Sequence, residues 1–420
     1  MYIRRWMKTL PPGRLPESGF SRSGILLGCL SSCWTVAALT CGGASAQNQA
    51  PPPAPKVNHA PRALPLGKFY ETPEPLPAGK PGELIRSEQA YEYHLSYEAS
   101  TFRILYHSLS AQGKDVAVSG VVLVPDGTPP AGGWPIIAWA HDFAGSARQC
   151  APSLLKNLNQ GPLLSMYASL RYAVVASDYA GLGTNLPHAT FDTRSNALDL
   201  IYSVLAARAA LPQLGKKWVA AGYSQGAIVA VGVAEAVGEI GDSNYLGSVS
   251  VGGVAEPEEI FERFAAIEPE GSMLVFLAQG TKTVFPEFRI EEVLTEKAIP
   301  LYRYISHACE AEPGSPPAPN KMLKPGWENN PYIKKFWERN RLGRKPAHGP
   351  LLMISGEADT AVPVAFMKRA VGQLCAQKDR VLFVQYPGLN ASGVLGNSVS
   401  EQISWIKARF SGLSAPSNCP

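Results

Sequence analysis

From Tyr91 onward, short apolar runs rich in β-branched residues alternate with longer amphipathic stretches, the rhythm of βαβ units on a mostly parallel sheet flanked by helices. The runs predict strands over Phe102–His107, Val116–Val124, Pro135–Ala140, Tyr172–Ala176, Trp218–Tyr223, Leu246–Gly252, Leu351–Ser355 and Val381–Tyr386. Between Glu256 and about His348 the rhythm breaks into helical stretches with weaker strand signals and a proline-rich patch at Pro313–Pro319. A segment of this kind, about 257–348, is expected to sit above the sheet as a helical cap or lid. Ahead of the core, residues 47–66 are proline-rich and predict an extended linker. No internal repeat is visible, so residues 67–420 are expected to form one α/β domain carrying the cap.

Residues 1–46 have the layout of an export signal. Arg4, Arg5, Lys8, Arg14 and Arg22 precede the apolar run Gly24–Leu39, and Ala44-Ser45-Ala46 forms a small-x-small cleavage site. The run is short for a bilayer span, which disfavours a retained transmembrane anchor. Cys41 as a lipid attachment site fits poorly after Leu39-Thr40, and the Arg4-Arg5 pair lies far from the apolar run for a twin-arginine signal. A secreted or periplasmic protein is therefore expected. The segment carries five basic residues and one acid, which accounts for the whole formal charge of +4. A neutral remainder without basic runs argues against a nucleic-acid partner or a polyanionic membrane surface.

The chain is 45% hydrophobic and 17% charged, a globular composition and not that of a disordered chain. Of its seven cysteines, Cys150, Cys309, Cys375 and Cys419 remain after the signal. An even number in an oxidising compartment predicts two disulfides, the alternative being four buried thiols. No histidine cluster has the spacing of a metal site, so no metal is expected. Gly181-x-Gly183 lacks the further glycines of a nucleotide fingerprint, so no cofactor is expected either.

The chemistry centres on Gly222-Tyr223-Ser224-Gln225-Gly226, set between the apolar strand Trp218–Ala221 and the helix-forming Ala227–Val231. G-x-S-x-G between strand and helix is a nucleophile elbow. The nucleophile sits in a strained turn, so its neighbours must be small, and the helix behind it offers a backbone N–H and a positive dipole to an oxyanion. Ser224 is thus the candidate nucleophile and Gln225 a candidate oxyanion donor. An acid is expected at the end of a later strand, and Asp359 follows Leu351–Gly356 in that position. The competing role for Asp359 is to cap a helix starting near Val364. Asp178 precedes the nucleophile, out of chain order for a triad, and is expected to shape a loop beside the site.

Taken in order, several fragments resemble the secretory lipases of the α/β-hydrolase superfamily, the yeast lipase A type included. They are Phe69-Tyr70, Pro81–Ser87, Ser119–Pro125, Cys150-Ala151-Pro152-Ser153, Asp178–Thr184, the elbow, Gly356–Asp359 and Tyr386-Pro387-Gly388-Leu389. The resemblance implies an α/β-hydrolase fold, a secreted hydrolase of acylglycerols and related esters, a cap that forms the acyl pocket, and disulfides Cys150–Cys309 and Cys375–Cys419. It also exposes a departure. Where the family has Tyr-Pro-Gly-Leu-Asp-His, with the histidine as general base, this chain has Asn390-Ala391 after Leu389. The seven histidines are His59, His94, His107, His141, His188, His307 and His348, and none follows Asp359.

A second departure lies at the oxyanion loop, Trp139-Ala140-His141-Asp142, where many bacterial relatives have His-Gly. Ionised Asp142 would repel an oxyanion, whereas its backbone N–H or a protonated carboxyl would donate to one. His141, beside that loop, is the candidate substitute base, without Asp359 to orient it; His307 would serve only with the cap closed over the site.

Two function classes follow. One is a lipase or carboxylesterase for small-molecule or lipid esters, weakened because Ala391 stands at the base position. The other is a non-catalytic pseudoenzyme that binds an acyl ligand. A designed knockout fits less well, since Asn390 departs from the family as well. In a eukaryotic source Asn390-Ala391-Ser392 would be a glycosylation sequon. Loss of a triad histidine costs about 10⁶ in turnover and leaves roughly 10³–10⁴ over water, so a feeble esterase is the expected ceiling.

Overall fold

The strand-forming runs come together as one sheet, with the order β1-β2-β3-β5-β4-β6-β7-β8-β9. Its members are β1 (Leu84–Ala90), β2 (Ser100–Leu109), β3 (Asp115–Val124), β4 (Trp134–Ala140), β5 (Ala173–Ser177), β6 (Leu214–Tyr223), β7 (Tyr245–Val251), β8 (Leu351–Gly356) and β9 (Val381–Tyr386). The computed structural model describes residues 63–267, 273–307, 309 and 322–420. The expected signal 1–46, all but the last residues of the linker and the Pro313–Pro319 patch lie outside the described residues.

The first pairs, β1 with β2, β2 with β3 and β3 with β5, are antiparallel, and every pair from β5 through β9 is parallel. The parallel strands are covered on both faces, which is why they appear in the sequence as unbroken apolar runs. Along β4, Trp134, Ile136, Ala138 and Ala140 enter one core layer while Ile137 and Trp139 enter the other. The first layer is closed by α2 (Thr193–Ala210) and α3 (Gln225–Ile240), and the second by α1 (Gly161–Ser169) and α10 (Val399–Phe410). This is an α/β-hydrolase arrangement, as the sequence leads one to expect.

Eight of the nine strands lie on the predicted runs, with ends shifted by a few residues. The unpredicted one, β1, is an edge strand. Its sequence alternates too little, with Arg86, Ser87, Glu88 and Gln89 at mostly exposed positions, and its register slips between Leu84 and Arg86. At the end of the proline-rich tract, Ala63 bridges to Leu155, and the Leu64 N–H donates to Leu154 O at 2.6 Å. A ladder contact was not expected from that composition.

Between β7 and β8 the chain forms α4 (Pro257–Ala266), α5 (Met273–Val284), α6 (Ile299–Ile305) and α7 (Pro331–Asn340). Asn330 starts α7 by accepting from the N–H groups of Tyr332 (2.9 Å) and Ile333 (3.4 Å), with Pro331 in the first turn where its missing N–H costs nothing. The helical segment is tied to the sheet domain by the Arg339–Asp192 ion pair at 2.7 Å and by Gln279, which bonds Thr190 and the His188 carbonyl. A further tie is the Cys150–Cys309 disulfide; Cys375 and Cys419 form the second. Both disulfides agree with the pairing that the resemblance implied. No described helix is long and apolar enough to cross a membrane.

Candidate active site

The last residue of β6 is Tyr223, and the next backbone unit turns sharply. Ser224 has φ 55° and ψ −116°, a left-handed φ that an L-residue adopts at a cost, and α3 begins immediately at Gln225. The turn is held by the Ser224 N–H, which donates to Val251 O at 3.1 Å, and by Ser224 O, which accepts from Ala227 N–H at 3.0 Å. The flanking glycines are dictated by contact distance. A Cβ on Gly222 would lie 2.1 Å from Gly226 O, and one on Gly226 would lie 2.0 Å from Ala140 O. These neighbours are backbone and cannot move aside, so the G-x-S-x-G spelling is a packing requirement of this elbow.

Ser224 opens onto a cavity of about 130 Å³, comparable to an apolar cavity that admits benzene. Its wall is apolar for the most part, with Phe143, Phe191, Ile228, Ile260, Phe261 and Phe264 prominent. The same wall holds Gln225, Asp359 and Ala391. Residues far apart in sequence thus meet at one place: the elbow after β6, the turn after β8 and the first residue of α9 (Ala391–Asn397) after β9.

Asp359 is buried, and its Oδ1 accepts from the N–H groups of Ala361 and Val362, each at 2.9 Å. Burial raises its carboxyl above the ordinary range, against the opposing pull of those two bonds. It does not cap α8 (Val364–Ala376), whose N-cap is Pro363. Ala391 presents only a methyl group, 3.9 Å from the point where a Cβ on Gly252 would lie. Asn390, in front of it, caps α9 by accepting from Gly393 N–H at 2.9 Å.

The oxyanion side is divided. Gln225 is the first residue of α3, where a backbone N–H has no partner within the helix, and it lies in the cavity wall. Asp142 is not among the residues lining the cavity, although its neighbour Phe143 is. The Asp142 carboxylate accepts from the Asn159 amide, and burial pushes it up to about 6, opposed by its own backbone N–H and by Gln160 and Asn159. Its Oδ1 is thus engaged by Asn159.

Among the described residues no histidine lines the cavity. His141, the candidate substitute base, is buried behind the loop, stacked on Tyr179 with ring centroids 4.1 Å apart. Its Nδ1 lies 2.6 Å from Asp142 O and its Nε2 3.2 Å from Asp178 O, so both nitrogens face carbonyls. Desolvation pulls it down to about 4, leaving a neutral ring that is not among the residues lining the cavity. His307 has an exposed side chain on the segment after α6. Asp178 takes the loop-shaping place expected of it: it is buried and accepts from the Ser119 hydroxyl at 2.6 Å and the Ser153 N–H at 2.9 Å. Among the described residues there is no His/Cys/Asp/Glu cluster able to hold a metal ion.

Several wall residues had no sequence signal. Thr193 and Asn196 lie in the first turns of α2, and Asn340 is the last residue of α7. None belongs to a motif, and only the packing of α7 across the start of α2 brings them to Ser224's cavity.

The family model described as secretory lipase matches residues 157–418. No curated protein matches by sequence. Among solved structures, Candida antarctica lipase A in its closed state superposes with TM-score 0.73 at 19% identity, covering 85% of this chain and 89% of that one. A ligand-bound form of the rice cell wall degrading esterase LipA from Xanthomonas oryzae superposes with TM-score 0.65 at 19% identity, covering 79% of this chain and 98% of that one.

Proposed function

We propose that this chain, which belongs to the secretory lipase family, binds acyl esters in the cavity beside Ser224 but has lost the proton-transfer step that makes such a site fast. The observation that carries this reading is that Ser224, Asp359 and Ala391 share a wall with no histidine among the described residues. Ser224 would attack the ester carbonyl, and Gln225 N–H would donate to the oxyanion. The hydroxyl proton then needs an acceptor. In a complete triad an imidazole takes it and a carboxylate steadies the imidazolium; here Asp359 stands ready and Ala391 has nothing to offer. The apolar wall selects the acyl side of an ester. The helices between β7 and β8 act as the cap. An export signal over 1–46 and two disulfides support action outside the cytoplasm.

The test is hydrolysis of a medium-chain nitrophenyl ester by the purified protein, with Ser224→Ala as the blank. A rate no more than roughly 10³–10⁴ above water, lowered by Ser224→Ala, is expected of an elbow and oxyanion hole working without a base. Turnover at the level of an ordinary lipase would overturn the loss of the base. A rate equal to the blank would leave the non-catalytic acyl binder as the function.

A further inference from the structure

Two polar atoms in the residues of this cavity wall have no hydrogen-bond partner among the described residues. One is Ser224 Oγ. The other is on Asp359, which is 8% exposed and lines the cavity together with Ser224 and Ala391. Asp359 Oδ1 is taken up by the N–H groups of Ala361 and Val362, whereas its Oδ2 accepts nothing. Neither Ser224 Oγ nor Asp359 Oδ2 is among the buried polar atoms closed to solvent, as Asp379 Oδ2 is. Asp359 therefore keeps one free oxygen on open space, and the open space it lines is this cavity.

A carboxylate in a mostly apolar wall is costly until a donor meets it. Burial raises the Asp359 carboxyl, opposed by the two backbone N–H groups and by no cation. Beside it there is room. Where a Cβ on Gly252 would lie, the neighbour within 4 Å, flanking residues aside, is the Ala391 methyl at 3.9 Å. The cavity of about 130 Å³ is comparable to one that admits benzene, and an imidazole ring is smaller than benzene.

We propose that the wall at Ala391 is a binding site for an imidazole group that the chain itself does not supply, brought by the substrate or taken from solution. Its N–H would donate to Asp359 Oδ2, and its second nitrogen would accept the Ser224 hydroxyl. An ammonium would satisfy Asp359 but has no lone pair for the hydroxyl, and an alcohol or amide is too weak a base to hold the proton. The ring takes the Ser224 proton as Oγ bonds to the ester carbonyl, and returns it to the alkoxide as the ester C–O bond breaks. Water then attacks the acyl-serine and gives the ring a proton, which passes to Ser224 Oγ as the acid leaves. The base is regenerated and no oxidant or reductant is needed. This rests on the reading of the cavity as an acyl site.

The experiment is hydrolysis of nitrophenyl octanoate by the full chain over a series of imidazole concentrations at one pH. Ser224→Ala with the same imidazole is the blank, because imidazole also attacks this ester in solution. The rate above the blank is expected to rise by roughly 10²-fold and to saturate. N-methylimidazole, of similar basicity, cannot donate to Asp359 while accepting from Ser224, and should give roughly tenfold less of the gain or none. Ala391→Leu, which fills the space, should remove it. A rate above the blank that imidazole does not change, or an equal gain from N-methylimidazole, would overturn the proposal. The methylated probe needs no variant at position 391, so it decides the matter even where Ala391→Leu fails to fold. Calorimetric binding of methyl octanoate to Ser224→Ala reads the acyl site by itself: binding without an imidazole gain overturns the proposal alone, and neither overturns both. An N-octanoylhistidine methyl ester hydrolysed faster than its phenylalanine counterpart would support the proposal with the substrate as the source of the ring, and a gain from free imidazole alone would support it with solution as the source.

Discussion

On the proposed reading, an imidazole at position 391 is what this cavity lacks of a complete triad. Ala391 lies with Ser224 and Asp359 in one wall, and Asp359 already accepts two backbone N–H groups that hold its carboxylate in place. Ala391→His is therefore expected to raise nitrophenyl ester hydrolysis by roughly 10²–10⁴-fold, the usual worth of a positioned general base. Adding Ser224→Ala should abolish the gain, and a variant no faster than its parent would place the base position elsewhere. Burial also leaves its mark on residues outside the site. Asp199, fully buried against the Ser108 hydroxyl and the Ala180 N–H, is pushed up to about 7. Between about pH 4 and 7 the folded chain keeps a proton there that the unfolded chain has released. Stability should thus fall with rising pH across that window relative to Asp199→Asn, and the difference should be flat below pH 4. Buried His141 and His188, both pulled down to about 4, act in the opposite sense and cancel in that comparison. Urea unfolding of the two proteins at a series of pH values measures it.

The elbow depends on elements meeting with no side chain between them. The start of α3 lies on the end of β4 so closely that Gly226 has Ala140 O where a Cβ would be. Gly226→Ala is expected to destabilise the protein by about 3 kcal/mol, since overpacking here must shift strand or helix backbone. A loss under about 1 kcal/mol in denaturant unfolding would mean that α3 can slide away. The same logic accounts for β1. An edge strand with one covered side needs few apolar residues, so its sequence resembles a loop until β2 pairs with it.

The helices between β7 and β8 are held onto the sheet domain at separated points, by Arg339 on Asp192, by Ser146 Oγ on Ile305 O at 2.9 Å, and by Cys150–Cys309. That disulfide spans 159 residues, against 44 for Cys375–Cys419. Replacing Cys150 and Cys309 by alanine should cost about 2–4 kcal/mol in urea unfolding. The Cys375 and Cys419 replacement should cost about 1 kcal/mol less, in proportion to the logarithm of the loop it closes. Equal losses would mean that native contacts outweigh chain entropy in both.

The sequence by itself determined the parallel sheet, the G-x-S-x-G turn and the absence of a histidine after Asp359. A strand covered on both faces must be written in apolar residues, and a strained turn must be written in glycines around its serine, so both can be read locally. The absence of any histidine after Asp359 needs no structure at all. Only the tertiary structure decided which residues share the cavity. The approach of α7 to the start of α2 brings Asn340 and Asn196 to the wall, and His141 is buried against two carbonyls and is not among the residues lining the cavity. These outcomes depend on contacts between segments separated by tens to hundreds of residues. No local pattern records them, because an asparagine in a helix or a histidine in a loop has the same spelling whether it faces a ligand, a carbonyl or water.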